Sequence, residues 1–225
     1  MIKAALERAG LKPDEAGTVI MGNVIQAGVK MNPGRQAAIR AGLPVTVPAM
    51  TVNRVCGSGA QAIVSAAEGI LLGTVDVAVA GGMENMDLAP YLVSRGRWGY
   101  RMGHGQLYDS MLRDGLNDAF SDEPSGWHTE DLVQKFQISR DVQDQWALRS
   151  QQRFAAAQAA GKFKEEIIPI ECPAARERPP LIGTNTTGPK RRLKRWLHSS
   201  PPSARTERSL LATRLASIAA LLPWF

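Results

Sequence analysis

A cysteine at position 56 stands in the run Thr51-Val52-Asn53-Arg54-Val55-Cys56-Gly57-Ser58-Gly59-Ala60-Gln61-Ala62. An apolar stretch, Val47 to Val55, leads into it and a glycine-punctuated, Ala-rich segment leaves it, so the sulfur is expected at a strand-to-helix turn. Such a turn suits nucleophilic chemistry for three reasons. The first N–H groups of a helix have no intrahelical partner, the helix dipole is positive there, and glycines let backbone and substrate approach closely. A thiol in that setting could attack an electrophilic carbon and carry a group covalently. A free cysteine also packs well as a small hydrophobe, and the spacing alone leaves both readings open.

Other side chains of chemical interest are fewer. Glu84 follows the paired glycines Gly81-Gly82 and, as a carboxylate near a thiol, could relay a proton. His104 and His128 are each expected in a polar loop, where the spacing points to no catalytic partner, and both read as solvated.

Alternating strands and helices must position Cys56. An amphipathic helix over Ile2 to Ala9 is closed by Gly10. Strands are expected over Thr18–Val24, Ala49–Val55 and Val75–Ala80, with helices over Pro33–Ala41, begun by Asn32 and Pro33, and over Ser58–Leu72. This alternation predicts a layered α/β fold around a buried sheet. The helix after Cys56 is small on most faces (Ala60, Ala62, Ala66, Ala67, Gly69) and is expected to lie deep between layers. From Met86 to about Asp118 no period is visible, and a loop of that length is usually a functional flap or an interface. A further helix starts at Ser139 and stops at Gly161, with Val142, Trp146, Leu148 and Phe154 as a modest stripe that should pack on the domain.

The chain has 225 residues and a formal net charge of +6, which by itself would suggest nucleic acid or an anionic surface. The charge is unevenly placed. Residues 174–225 hold ten Lys/Arg and two acids, a balance of +8, so the first 173 residues carry 17 basic and 19 acidic side chains and a balance of −2. The body is therefore near neutral and the basic character belongs to the tail. Two cysteines far apart and no signal-peptide pattern fit a reducing, cytoplasmic setting. No apolar run is long enough to span a bilayer, so no membrane partner is expected.

The Cys56 run is one of several long motifs through which the chain resembles the thiolase family. The others include Ile20-Met21-Gly22-Asn23-Val24-Ile25-Gln26-Ala27-Gly28, Asn32-Pro33-Gly34-Arg35-Gln36-Ala37-Ala38, Val79-Ala80-Gly81-Gly82-Met83-Glu84-Asn85-Met86 and Ala147-Leu148-Arg149-Ser150-Gln151-Gln152-Arg153. The resemblance runs from about Ile2 to about Glu171. It implies a partial, layered thiolase-like N-terminal domain over 1–171, lacking its first strand and including a loop region over 86–138. It also implies that Cys56 takes the acyl group in transfer to or from coenzyme A. Coenzyme A thioester is then the substrate, with no bound cofactor and no metal. The loop after Met86 covers the active site and joins subunits in the family, so homo-oligomers are expected of full-length relatives.

Two departures qualify that picture. Where thiolases carry a His-Met-Gly step touching coenzyme A, this chain reads Pro124-Ser125-Gly126. After Glu171 the chain turns basic, Pro-rich and aperiodic where an acidic linker and an Asn-Ala-Ser-Gly step are expected. Codons for Asn185 to Leu197 can be chosen so that a one-nucleotide shift reads Glu-His-Asn-Arg-Pro-Glu-Thr-Thr-Leu-Glu-Ala-Leu-Ala, similar to that linker. The same shift toward Phe225 permits Asn-Ala-Ser-Gly-Ile-Asn-Ser-Gly-Ala-Ala-Ala. The expectation is a frameshift between about Glu171 and Gly183, making 172–225 an out-of-frame tail, disordered or poorly folded, and no selected nucleic-acid binder.

A thiolase also uses a His from a Gly-His-Pro turn, a second Cys in a Cys-x-Gly-Gly-Gly turn and an Asn-Glu-Ala-Phe step. Cys172 lacks the glycine run and His198 lies in the tail, so neither supplies these roles. The reading is an acyltransferase by family whose turnover in this chain is negligible. The alternative is a non-catalytic thiolase-like fragment whose basic tail binds nucleic acid or anionic surfaces.

Overall fold

The computed structural model describes residues 1–170. The tail expected over 172–225, with Cys172 and His198, lies outside the described residues. The chain divides into two compact units, one of Met1–Asp122 and one that begins at Glu123.

In the first unit, α1 (Ile2–Ala9) buries Leu6 and ends at Gly10, whose φ of 68° lets the Leu11 N–H turn back to the Leu6 carbonyl at 3.0 Å. Three parallel strands follow, β1 (Thr18–Gly22), β2 (Ala49–Val52) and β3 (Ala78–Gly82), in the order β2-β1-β3. Helix α2 (Pro33–Arg40) joins β1 to β2, and α3 (Ser58–Leu71) joins β2 to β3. The second connection runs across the sheet in the direction opposite to the first. Crossovers of one hand therefore require α2 and α3 on opposite faces.

The core divides accordingly. Val19, Met21 and Val79 pack with Leu6 of α1 and Ala38 of α2, whereas Ile20, Ala78 and Ala80 face Ala62 and Ala66 of α3. The layered α/β fold is as the alternation predicts, and the sheet is parallel; the expected burial holds for its central strand alone, since β2 has no buried residue and β3 only Val79. Its central strand is buried on both faces, with Val19 fully inaccessible.

Several local expectations are corrected. Strand β2 stops at Val52 because the chain turns at Asn53, and Val55 adopts a φ of 50°, outside extended space. Strand β3 starts at Ala78, since the Val75 side chain lies against Gly17 and the Gly17 N–H bonds to the Val77 carbonyl at 2.9 Å. Helix α3 is not enclosed among the described residues. Ser58, Ala62 and Ala66 form a buried stripe, while Ile63, Val64, Ile70 and Leu71 are exposed. The stretch after Met86 is not wholly irregular: β4 (Tyr91–Leu92) pairs antiparallel with β5 (Tyr108–Asp109), followed by a π-helical turn over Leu112–Leu116.

In the second unit, α4 (Ser125–Lys135) occupies part of the region expected to be loop, ended by Gln137 at a φ of 51° with the Ile138 N–H returning to Val133 at 3.0 Å. Helix α5 (Arg140–Ala159) is capped by Ser139, whose hydroxyl accepts the Val142 N–H. The expected packing stripe is not buried among the described residues. Val142 and Trp146 are exposed, and the Arg149 guanidinium sits 4.1 Å from the Trp146 ring. Phe154 stacks on Phe163 at 5.2 Å.

Candidate active site

The register brings the three strands to one flush edge, with Gly22 paired to Val52 on one side and to Gly82 on the other. The loops after all three strands leave from that carboxyl edge, where ligands bind in open α/β sheets. The two glycines have a steric cause. A Cβ on Gly22 would lie 2.5 Å from the Ser58 carbonyl carbon, and one on Gly82 would lie 3.4 Å from the Gly59 Cα. The first turn of α3 therefore rests directly on the ends of β1 and β3.

Cys56 stands just before that turn, exposed and free. The backbone around it is tightly tied. The Gly57 N–H bonds to Arg54 O at 3.1 Å and the Ser58 N–H to Val55 O at 3.0 Å. Asn53 Oδ1 accepts the Val55 N–H at 3.0 Å, and the Ser58 hydroxyl accepts the Arg54 N–H at 2.9 Å while donating to Val55 O. The Arg54 side chain reaches along α3 to Gln61 at 2.6 Å. The Cys56 N–H itself has no hydrogen-bond partner among the described residues.

Glu84 does not face the thiol as a free base. Its carboxylate accepts from Asn23 Nδ2 and the Val24 N–H at 2.8 Å each, and from the Ile25 N–H at 3.3 Å. Asn23 Nδ2 also donates to Met83 O at 2.9 Å, so Glu84 and Asn23 tie the loop after β1 to the loop after β3. That leaves Asn23 Oδ1 buried without a partner among the described residues.

The Asn32-to-Gln36 motif is a second knot, beneath β2. Asn32 caps α2 by accepting the Arg35 N–H at 3.1 Å, holds the Ala49 carbonyl at 2.9 Å, and accepts from the Thr51 hydroxyl at 2.7 Å. Arg35 donates to the carbonyls of Val45 and Val47, and the Gly34 N–H to Thr51 Oγ1 at 2.9 Å. These groups fix the strand that delivers Cys56.

His104 is exposed in the excursion between β4 and β5. His128 lies on α4, in the second unit, and not in a loop as the sequence suggests. The structure thus gathers Asn23, Asn53, Cys56, Ser58 and Glu84 at the sheet edge. The sequence singles out Cys56 and Glu84 as candidates and does not point to the other three. Asn at the end of each of the first two strands, and Ser two places after the thiol, were the available signals. Among the described residues no group of three or more His, Cys, Asp or Glu could hold a metal ion, and no helix is long and apolar enough to cross a membrane.

Comparison with known proteins gives a consistent picture. The family model for the thiolase N-terminal domain matches residues 1–193, reaching past Glu171. An acetyl-CoA acetyltransferase of Cupriavidus necator is 48% identical over 185 residues, which is 82% of this chain and 47% of that protein. The acetyl-CoA acetyltransferase of Chromobacterium violaceum is 50% identical over 173 residues, 77% of this chain and 44% of that protein. That of Pseudomonas aeruginosa is 49% identical over 179 residues, 80% of this chain and 46% of that protein. The chain spans about half the length of the curated relatives it matches.

Proposed function

The chain belongs to the thiolase family through its N-terminal domain, and on that premise we propose that Cys56 is the acyl-accepting thiol of an acyltransferase acting on coenzyme A thioesters. The observation that carries this reading is the placement of an exposed thiol on a strained strand-to-helix turn at the carboxyl edge of the parallel sheet, inside the matched domain.

The step is a thioester exchange. The Cys56 thiol gives up its proton to solvent, Sγ attacks the carbonyl carbon as the thiolate, the new Sγ–C bond forms, the C–S bond to coenzyme A breaks, and the coenzyme A sulfur leaves as a thiolate that takes up a proton from solvent. The Cys56 N–H, lacking a partner among the described residues, is available to the negative oxygen of the tetrahedral intermediate. Acetoacetyl-CoA or 3-ketoacyl-CoA formation or cleavage needs more than this. It calls for a base and a second acid/base thiol, and the 225 residues hold no Gly-His-Pro, Cys-x-Gly-Gly-Gly or Asn-Glu-Ala-Phe step. For these 225 residues taken alone the proposal is therefore acyl acceptance with negligible turnover, because such a unit short of one member works orders of magnitude more slowly.

Incubation with acetyl-CoA followed by peptide mass analysis tests it. A single acetyl group on the Cys56 peptide, absent in Cys56→Ala, is expected; acetylation elsewhere, or none on the folded chain, removes the assignment. Cleavage of acetoacetyl-CoA at a rate typical of the family would overturn the claim of negligible turnover.

The charge of +8 confined to residues 174–225 favours one further reading, a thiolase-like domain carrying a basic segment that binds nucleic acid or anionic lipid. Salt-sensitive retention on DNA, lost when 174–225 are deleted, would support it. A cytoplasmic location and homo-oligomeric assembly remain part of the family-based proposal.

A further inference from the structure

We propose that Ser58 is a positioning residue for the Cys56 thiol, its hydroxyl locking the left-handed conformation of Val55 from which the thiol is presented. The inference rests on the reading of Cys56 as acyl acceptor and extends it to the residue that aims the sulfur.

Val55 is β-branched, and its φ of 50° lies where such residues are strained. Unsupported, Val55 would return to extended backbone, lengthening β2 and swinging Cys56 away from the edge. Ser58 opposes this by gripping the chain on both sides of Val55. Its hydroxyl accepts the Arg54 N–H at 2.9 Å and donates to the Val55 carbonyl, while its own N–H donates to that carbonyl at 3.0 Å. Asn53 completes the hold by accepting the Val55 N–H.

The direction of these bonds separates this role from ordinary helix capping. A capping serine stands before the helix and turns its oxygen forward to N–H groups of the first turn. Ser58 is the first residue within α3 and turns its hydroxyl back into the preceding strand end. Ser58 is also a fixed anchor, 4% exposed, with its carbonyl carbon 2.5 Å from where a Cβ on Gly22 would be. The position of Cys56 is thereby referred to the central strand.

The test is the alkylation rate of Cys56 by iodoacetamide in the full chain, followed by peptide mass analysis at several pH values, with the unfolding midpoint measured for each variant. Ser58→Ala is expected to slow Cys56 by about tenfold or more in folded protein, since a small misplacement of a reacting group has effects of that size or larger. Ser58→Thr, which keeps the hydroxyl, should restore most of the rate. Asn53→Ala, at an exposed position, should give an intermediate loss and carries the test if Ser58→Ala fails to fold. A fast unmodified chain with unchanged Ser58→Ala or Asn53→Ala rates overturns the role of the brace, as does a Ser58→Thr variant no faster than Ser58→Ala. An unmodified Cys56 no faster than a simple thiol in solution overturns the acyl-acceptor reading itself, and the positioning role with it.

Discussion

Glu84 is the side chain at the sheet edge with the most backbone dependent on it. Glu84→Ala would strip the N–H groups of Val24 and Ile25 and the Asn23 amide of their shared acceptor. Bonds to a charged acceptor contribute about 1.5–3 kcal/mol each, and partial relaxation leaves an expected loss of about 2–4 kcal/mol in urea unfolding. A second expectation concerns Gly22→Ala. Its added carbon would press on the backbone of Ser58 with no flexible side chain to give way, so α3 must shift. Both stability and acetylation of Cys56 should fall, by about 1–3 kcal/mol for stability. Cys56 was legible in sequence because strand, thiol and glycines are contiguous. Ser58 and Asn53 were not, because their partners depend on a left-handed Val55 that no periodicity reports.

Helix α2 shows how a whole element is held by one cap. Asn32→Ala removes the Arg35 cap together with the links to Ala49 and Thr51, and about 1–2 kcal/mol of stability should go with it by thermal or chemical unfolding. Ala62 is fully buried against Ile20, so Ala62→Leu should overpack that face and destabilise by about 1–3 kcal/mol. The start of α2 and the end of α1 were readable from Asn32-Pro33 and from Gly10, since caps are local chemistry. The burial of α3 was not. Its small residues fit an enclosed helix, yet only the Ser58, Ala62 and Ala66 stripe meets the sheet. Helix α4 was hidden because Gly126 and the mixed polar-aromatic run from Trp127 blur its period.

Across the molecule, composition misleads unless divided, because the near-neutral body and the basic tail imply different partners. The apolar residues exposed on α3 and at its C-cap, with Leu71 86% and Leu72 78% exposed, predict self-association. Light scattering should show it, and Leu71→Lys should reduce it. The strand order has a consequence for synthesis. Of the three described strands the middle one is made first, and Val19 must wait for Ala49 and then Val79 before both its edges are paired. A nascent chain that has passed Cys56 thus carries its thiol on an unfinished sheet until Gly82 has emerged, a window open to premature oxidation or adduct formation.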